Sequence, residues 1–110
     1  KTHSIMGKFE IFTEMVNEFM TDAASLFTEV FIAKEENRIS RDSYDACMNA
    51  YYTAQEACLA FGENEVSGEE VIEFLDQAVL KLYNVNDAFG NSARDLYITT
   101  RSQLAEVINA

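Results

Sequence analysis

Ile5, Phe9, Phe12, Val16, Phe19, Ala23, Leu26, Val30 and Ala33 recur at alternating spacings of four and three residues, and no proline occurs anywhere in the chain. That spacing puts all of these side chains on one stripe of an α-helix, whereas a strand would scatter them over both faces. Met20, Phe27 and Phe31 widen one edge of the stripe and Met15 the other. The resulting apolar arc is broad enough to pack on two neighbours, not only along a single coiled-coil seam. Helix is therefore the default, and its boundaries must come from glycine, capping residues and loss of pattern.

The stripe fails at "KEENRIS", which has no apolar residue before Ile39. Ser40 is a suitable N-cap for a second helix, and Asp42 suits its first turn. Tyr44, Cys47, Tyr51, Ala54, Cys58 and Phe61 form a thinner stripe, with Gly62 as the expected stop. In "VSGEEV", Ser67 and Glu70 match a capping box while Val66 and Val71 take the positions of a hydrophobic staple, which marks a third helix start. Val71, Leu75, Ala78, Leu82 and Val85 continue it into "NVNDAFGNS", which reads as a turn or as a helix running to Phe89 with Gly90 as its stop. Ala93, Tyr97, Thr100, Leu104 and Val107 define the last helix. The expected helices thus span about 5–36, 41–61, 68–84 and 92–108.

Four amphipathic helices with short connections in 110 residues imply an all-α fold: one domain, an antiparallel up-down four-helix bundle. The N-terminal helix is over-long for such a bundle. At about 1.5 Å per residue it would outreach partners of some twenty residues by more than 10 Å. It must bend near Ala23, Ala24 and Ser25 or have its excess apolar surface covered by a second copy, and the expectation is a homodimer.

The chemical inventory is poor. His3 is the sole histidine, so Ser-His, Cys-His and Glu-x-x-His di-iron arrangements are unavailable, and no glycine-rich phosphate loop or EF-hand loop is present. No catalytic residue, cofactor or metal site is expected, and the chain reads as a non-enzyme. Cys47 and Cys58, eleven residues apart on one helix, are too distant to bridge and read as small buried hydrophobes in a reducing, cytoplasmic setting. The formal net charge of -11 argues against direct nucleic-acid binding and against anionic lipid, and no apolar run is long enough for a membrane span. The chain opens at Lys1 and not at Met, which suggests processing, a fragment or added residues.

Glu10, Glu14, Glu18, Asp22 and Glu29 fall opposite the Phe stripe, with no Lys or Arg between residues 9 and 33 to pair with them. Like charges four apart each cost a few tenths of a kcal/mol in a helix. Such a ladder reads either as a solvated face or as a docking surface for a basic protein partner. The expected function is a protein–protein interaction module, such as an adaptor, chaperone, immunity protein or inhibitor. The alternatives are an acidic nucleic-acid mimic that blocks a DNA- or RNA-binding protein and a structural subunit of a larger assembly.

Overall fold

A computed structural model describes residues 7–110 of the chain; Ile5 and His3 lie outside them. Four helices and no strands are found among the described residues: α1 (Lys8–Glu35), α2 (Arg41–Gly62), α3 (Gly68–Leu80) and α4 (Ala88–Asn109). α1 and α3 each pack against both α2 and α4. The side-chain pairs give the directions. Phe12 near the start of α1 lies 5.2 Å from Phe61 at the end of α2, while Phe27 lies 4.7 Å from Tyr51, so these two helices run in opposite senses. Phe19 packs edge-on against Tyr97 at 5.5 Å, and Lys8 Nζ donates to the Ile108 carbonyl, which sets α4 against α1 in the same way. Arg101 pairs with Asp76, and Arg94 donates to the Leu82 carbonyl, so α3 and α4 are also opposed.

The core follows the stripe from Phe12 onward. Phe12, Val16, Phe19, Ala23, Val30 and Ala33 are all buried, and they meet Cys47, Ala50, Tyr51, Ala54, Cys58 and Phe61 of α2 with Val71, Leu75 and Ala78 of α3 and Tyr97 and Leu104 of α4. Small residues on α2 let the helices approach, and the aromatics of α1 fill the space they leave. Phe9 departs from the expected pattern. Although its ring lies 5.8 Å from that of Phe61, it remains 64% exposed, because it sits in the first turn of α1 at the end of the bundle. α1 is one uninterrupted helix of 28 residues through Ala23, Ala24 and Ser25, so its length is not relieved by a break.

Each helix start uses a side-chain device. Ser40 accepts from the Ser43 N–H and Ser67 from that of Glu70, whose carboxylate returns to the Ser67 N–H at 2.8 Å. The ends of α1 and α2 share one solution. Asn37 (φ 58°) and Asn64 (φ 60°) adopt the left-handed conformation. The following N–H groups of Arg38 and Glu65 reach back to the Ala33 and Ala60 carbonyls, both at 2.8 Å, which closes two Schellman motifs. Gly62, expected to be the stop, is instead the last residue of α2 with nothing within 4 Å of where its Cβ would lie.

The C-terminal half differs from expectation in two boundaries. α3 ends at Leu80, after which N–H groups of Leu82, Tyr83 and Val85 bond three residues back in a tightened turn that keeps Leu82 and Val85 buried. α4 begins at Ala88, capped by Asp87, which accepts from the Gly90 N–H at 2.8 Å. Gly90 therefore sits inside the first turn of α4 and stops nothing. Its hydrogen makes room for Val85, whose Cγ1 an added Cβ would overlap. Gly90→Ala is expected to lower stability by about 1–3 kcal/mol through overpacking. Gly62→Ala should raise it by roughly 0.4–1 kcal/mol by restricting the unfolded chain. Urea midpoints of the two variants check both, and a neutral Gly90→Ala would remove the close approach.

Candidate protein-interaction surface

All five ladder residues, Glu10, Glu14, Glu18, Asp22 and Glu29, are exposed along α1. The ion pairs among the described residues are Arg38–Glu36, Arg41–Asp45 and Arg101–Asp76, none of which involves the ladder. Glu10 stands apart, because its carboxylate accepts from the Gly7 N–H at 2.8 Å and so closes the start of α1. Glu14, Glu18, Asp22 and Glu29 remain as carboxylates without such a structural duty. Thr13, Thr21 and Thr28 of the same helix donate to the carbonyls of Phe9, Asn17 and Ala24, four residues back. Their hydroxyls are thereby turned onto the helix backbone, and the charge that this face directs to solvent is carried by the carboxylates. Ile11 and Ile32, 37% and 44% exposed, stand near its two ends.

A polar cleft of about 470 Å³ lies where the α3–α4 turn meets the start of α2, lined by Ser40, Asp42, Ser43, Lys81, Asn84, Asn86 and Asp87 among others. Its most buried polar group is already used. Ser43 donates its hydroxyl proton to one oxygen of Asp87 while the other caps α4, so this carboxylate fastens two helix starts together. Among the described residues no three of His, Cys, Asp and Glu converge in a geometry that could hold a metal ion. No described helix is long and apolar enough to cross a membrane. Ser43 and Asp87 in the cleft walls hold the fold together.

Folding also sorts the charges along the 54 Å long axis of the molecule. The end that joins the start of α1, the end of α2, the start of α3 and the end of α4 carries Glu10, Glu14, Glu56, Glu63, Glu65, Glu69, Glu70, Glu73 and Glu106. Lys8 and Arg101, the latter paired with Asp76, are the cations there among the described residues, whereas Lys34, Arg38, Arg41, Lys81 and Arg94 lie toward the opposite end. Reading along the chain does not reveal this, because Lys81 and Arg94 join the Lys34–Arg41 group only when α3 and α4 fold back. A wheel restricted to α1 could find the ladder and could not find the polarised ends.

No protein-family model, curated protein or solved structure matches the chain. The surface must be read from its own chemistry.

The two cysteines are free and buried. Burial pushes the Cys47 thiol from 9.0 to about 11 and the Cys58 thiol to about 12, the nearby Asp87 adding to the rise at Cys47. Burial likewise raises the phenol of Tyr97. A raised folded value means that the native state holds the proton more tightly than the unfolded chain. The stabilisation is intact below the unfolded thiol value of about 9.0 and is lost as pH climbs through about 11 to 12. Neither thiol should react with a disulfide reagent at pH 8 until urea unfolds the chain. Stability should fall above pH 9, less steeply in Cys47→Ala/Cys58→Ala; rapid labelling of the native protein would contradict the burial.

Proposed function

We propose that the protein is a non-enzymatic protein–protein interaction module that uses the acidic face of α1 to engage a basic surface on a partner. One observation carries the reading: Glu14, Glu18, Asp22 and Glu29 are exposed on a single helix face with no cation paired to them among the described residues. Solvation alone is served as well by mixed signs, which avoid the repulsion between carboxylates four residues apart. An adaptor or inhibitor gains from the repulsion, since a basic partner relieves it on docking and is steered in by the field.

Self-association belongs to the same proposal on narrower grounds than the sequence suggested. Phe12 is buried by its own chain, and among the large apolar side chains that stay exposed, Phe31 and Ile32 of α1 and Tyr52 and Leu59 of α2, between 44% and 58% exposed, offer surface for a second copy. Sedimentation equilibrium should then show a concentration-dependent dimer, and a monomer at all concentrations would remove this part of the reading.

Reversing Glu18 and Asp22 to Lys is expected to leave the melting temperature within a few degrees, because neither side chain has a structural bond. The pair should abolish capture of basic proteins from the native host at low salt, while Glu73→Lys on α3 should not. Equal capture by all three proteins would reduce the ladder to solvated surface. Capture lost from both variants would show response to net charge alone.

A further inference from the structure

The strongly acidic end of the bundle is also the end where an apolar groove opens. Its volume is about 340 Å³, and Phe9, Phe12, Phe61, Val66, Val107 and Ile108 supply its apolar walls. α1, α2 and α4 supply these walls with the α2–α3 connection, and Gly68 at the start of α3 forms part of the floor. A Cβ at Gly68 would come within 3.0 Å of the Phe12 ring and 3.2 Å of Ile108 Cδ1, so glycine sets the depth here. Phe9 stays 64% exposed at the rim, in a position where the fold gains little from an aromatic ring. Glu63, Glu65, Glu69 and Glu70 are exposed on the segment that borders the groove, and Lys8 is the one cation in its lining.

We propose that this groove is a docking site for a cationic amphipathic segment of a partner protein. One or two apolar side chains of that segment pack over Phe9, Phe12 and Phe61, and its Lys or Arg residues reach the glutamates of the 63–70 segment. The volume lies at the low end of the range for small-molecule pockets, about 300–1,000 Å³, and the open shape suits side chains presented from a helix face. Charge complementarity selects the occupant. A neutral apolar segment would leave the glutamates unpaired at its rim, an acidic one would be repelled, and a nucleic acid or anionic lipid is excluded by the same field. A second copy of this chain is a poorer match, because its cation-bearing end also carries Glu35, Glu36, Asp42, Asp45 and Asp87. The inference rests on the reading of the chain as a protein-binding module but not on the α1 ladder, so the two surfaces can fail separately.

The test uses the full chain and two labelled peptides of Leu and Lys, one arranged as an amphipathic helix and one of the same composition scrambled to have no apolar face. The amphipathic peptide is expected to bind and to shift the amide resonances of Phe9, Phe12, Phe61, Val66, Gly68, Val107 and Ile108, with the scrambled peptide about tenfold weaker. Phe9→Ala should weaken binding about tenfold with little change in melting temperature. Glu65→Lys/Glu69→Lys should do so most at low salt, while Glu18→Lys/Asp22→Lys retains shifts in the groove. Equal binding of both peptides, shifts confined to the α1 ladder, or full affinity in both groove variants would each overturn the proposal. So would groove resonances that move with protein concentration in the absence of peptide, which would assign the groove to a second copy, or on deletion of residues 1–6, which would assign it to the chain's own start.

Discussion

Three aromatic pairs along α1 hold the bundle together: Phe12 on Phe61, Phe19 on Tyr97 and Phe27 on Tyr51, the last nearly parallel at 4°. Each contributes about 0.5–1.5 kcal/mol beyond the area it buries, and together they fix both the rotation of α1 and its register against two neighbours. Once Phe12, Phe19 and Phe27 face inward, helical geometry leaves Glu14, Glu18, Asp22 and Glu29 no orientation except outward. The acidic face is thus a consequence of the aromatic core, and a rotation of α1 that buried the carboxylates would have to break all three pairs.

The helix ends depend on local devices that keep those pairs in register. Two Schellman motifs built on Asn37 and Asn64 turn the chain within five residues, and the capping box of Ser67 and Glu70 begins α3 at once. At the other end of the bundle Asp87 serves two helices, capping α4 and accepting the Ser43 hydroxyl. A cap contributes about 1 kcal/mol, and a buried hydroxyl without an acceptor costs about 1–3 kcal/mol. In the 470 Å³ cleft beside Asp87, the hydrogen bonds of Ser40, Ser43 and Asp87 thus already serve the fold. The groove at the opposite end has apolar walls, and its rim glutamates other than Glu70 have no such duty.

Much of the fold was legible in the sequence for a physical reason: helix periodicity and capping act within a few residues. The unbroken 4-3-4-3 spacing located α1, and the Ser67–Glu70 signature located the start of α3 to the residue. The errors arose where a local signal was ambiguous and a distant contact decided. "NVNDAFGNS" contains both a cap and a glycine, and only the packing of Val85 against Gly90 shows that the glycine is inside α4 while Asp87 starts it. Gly62 looked like a stop because glycine favours left-handed backbone, yet Asn64, two residues on, takes that conformation. Phe9 belonged to the stripe by spacing, but it sits where the bundle runs out of neighbours to bury it.

The sequence alone determined that the chain is helical, that α1 has one aromatic and one acidic face, and that the described residues lack the histidine which common nucleophilic and metal chemistries need. These are properties of composition and of intervals of three and four residues. Only the tertiary structure decided that nine glutamates from all four helices and a connecting loop share one end of the molecule, and that an apolar groove opens among them. Antiparallel packing brings residues 8, 61, 68 and 108 together, and no local pattern encodes a meeting across a hundred positions.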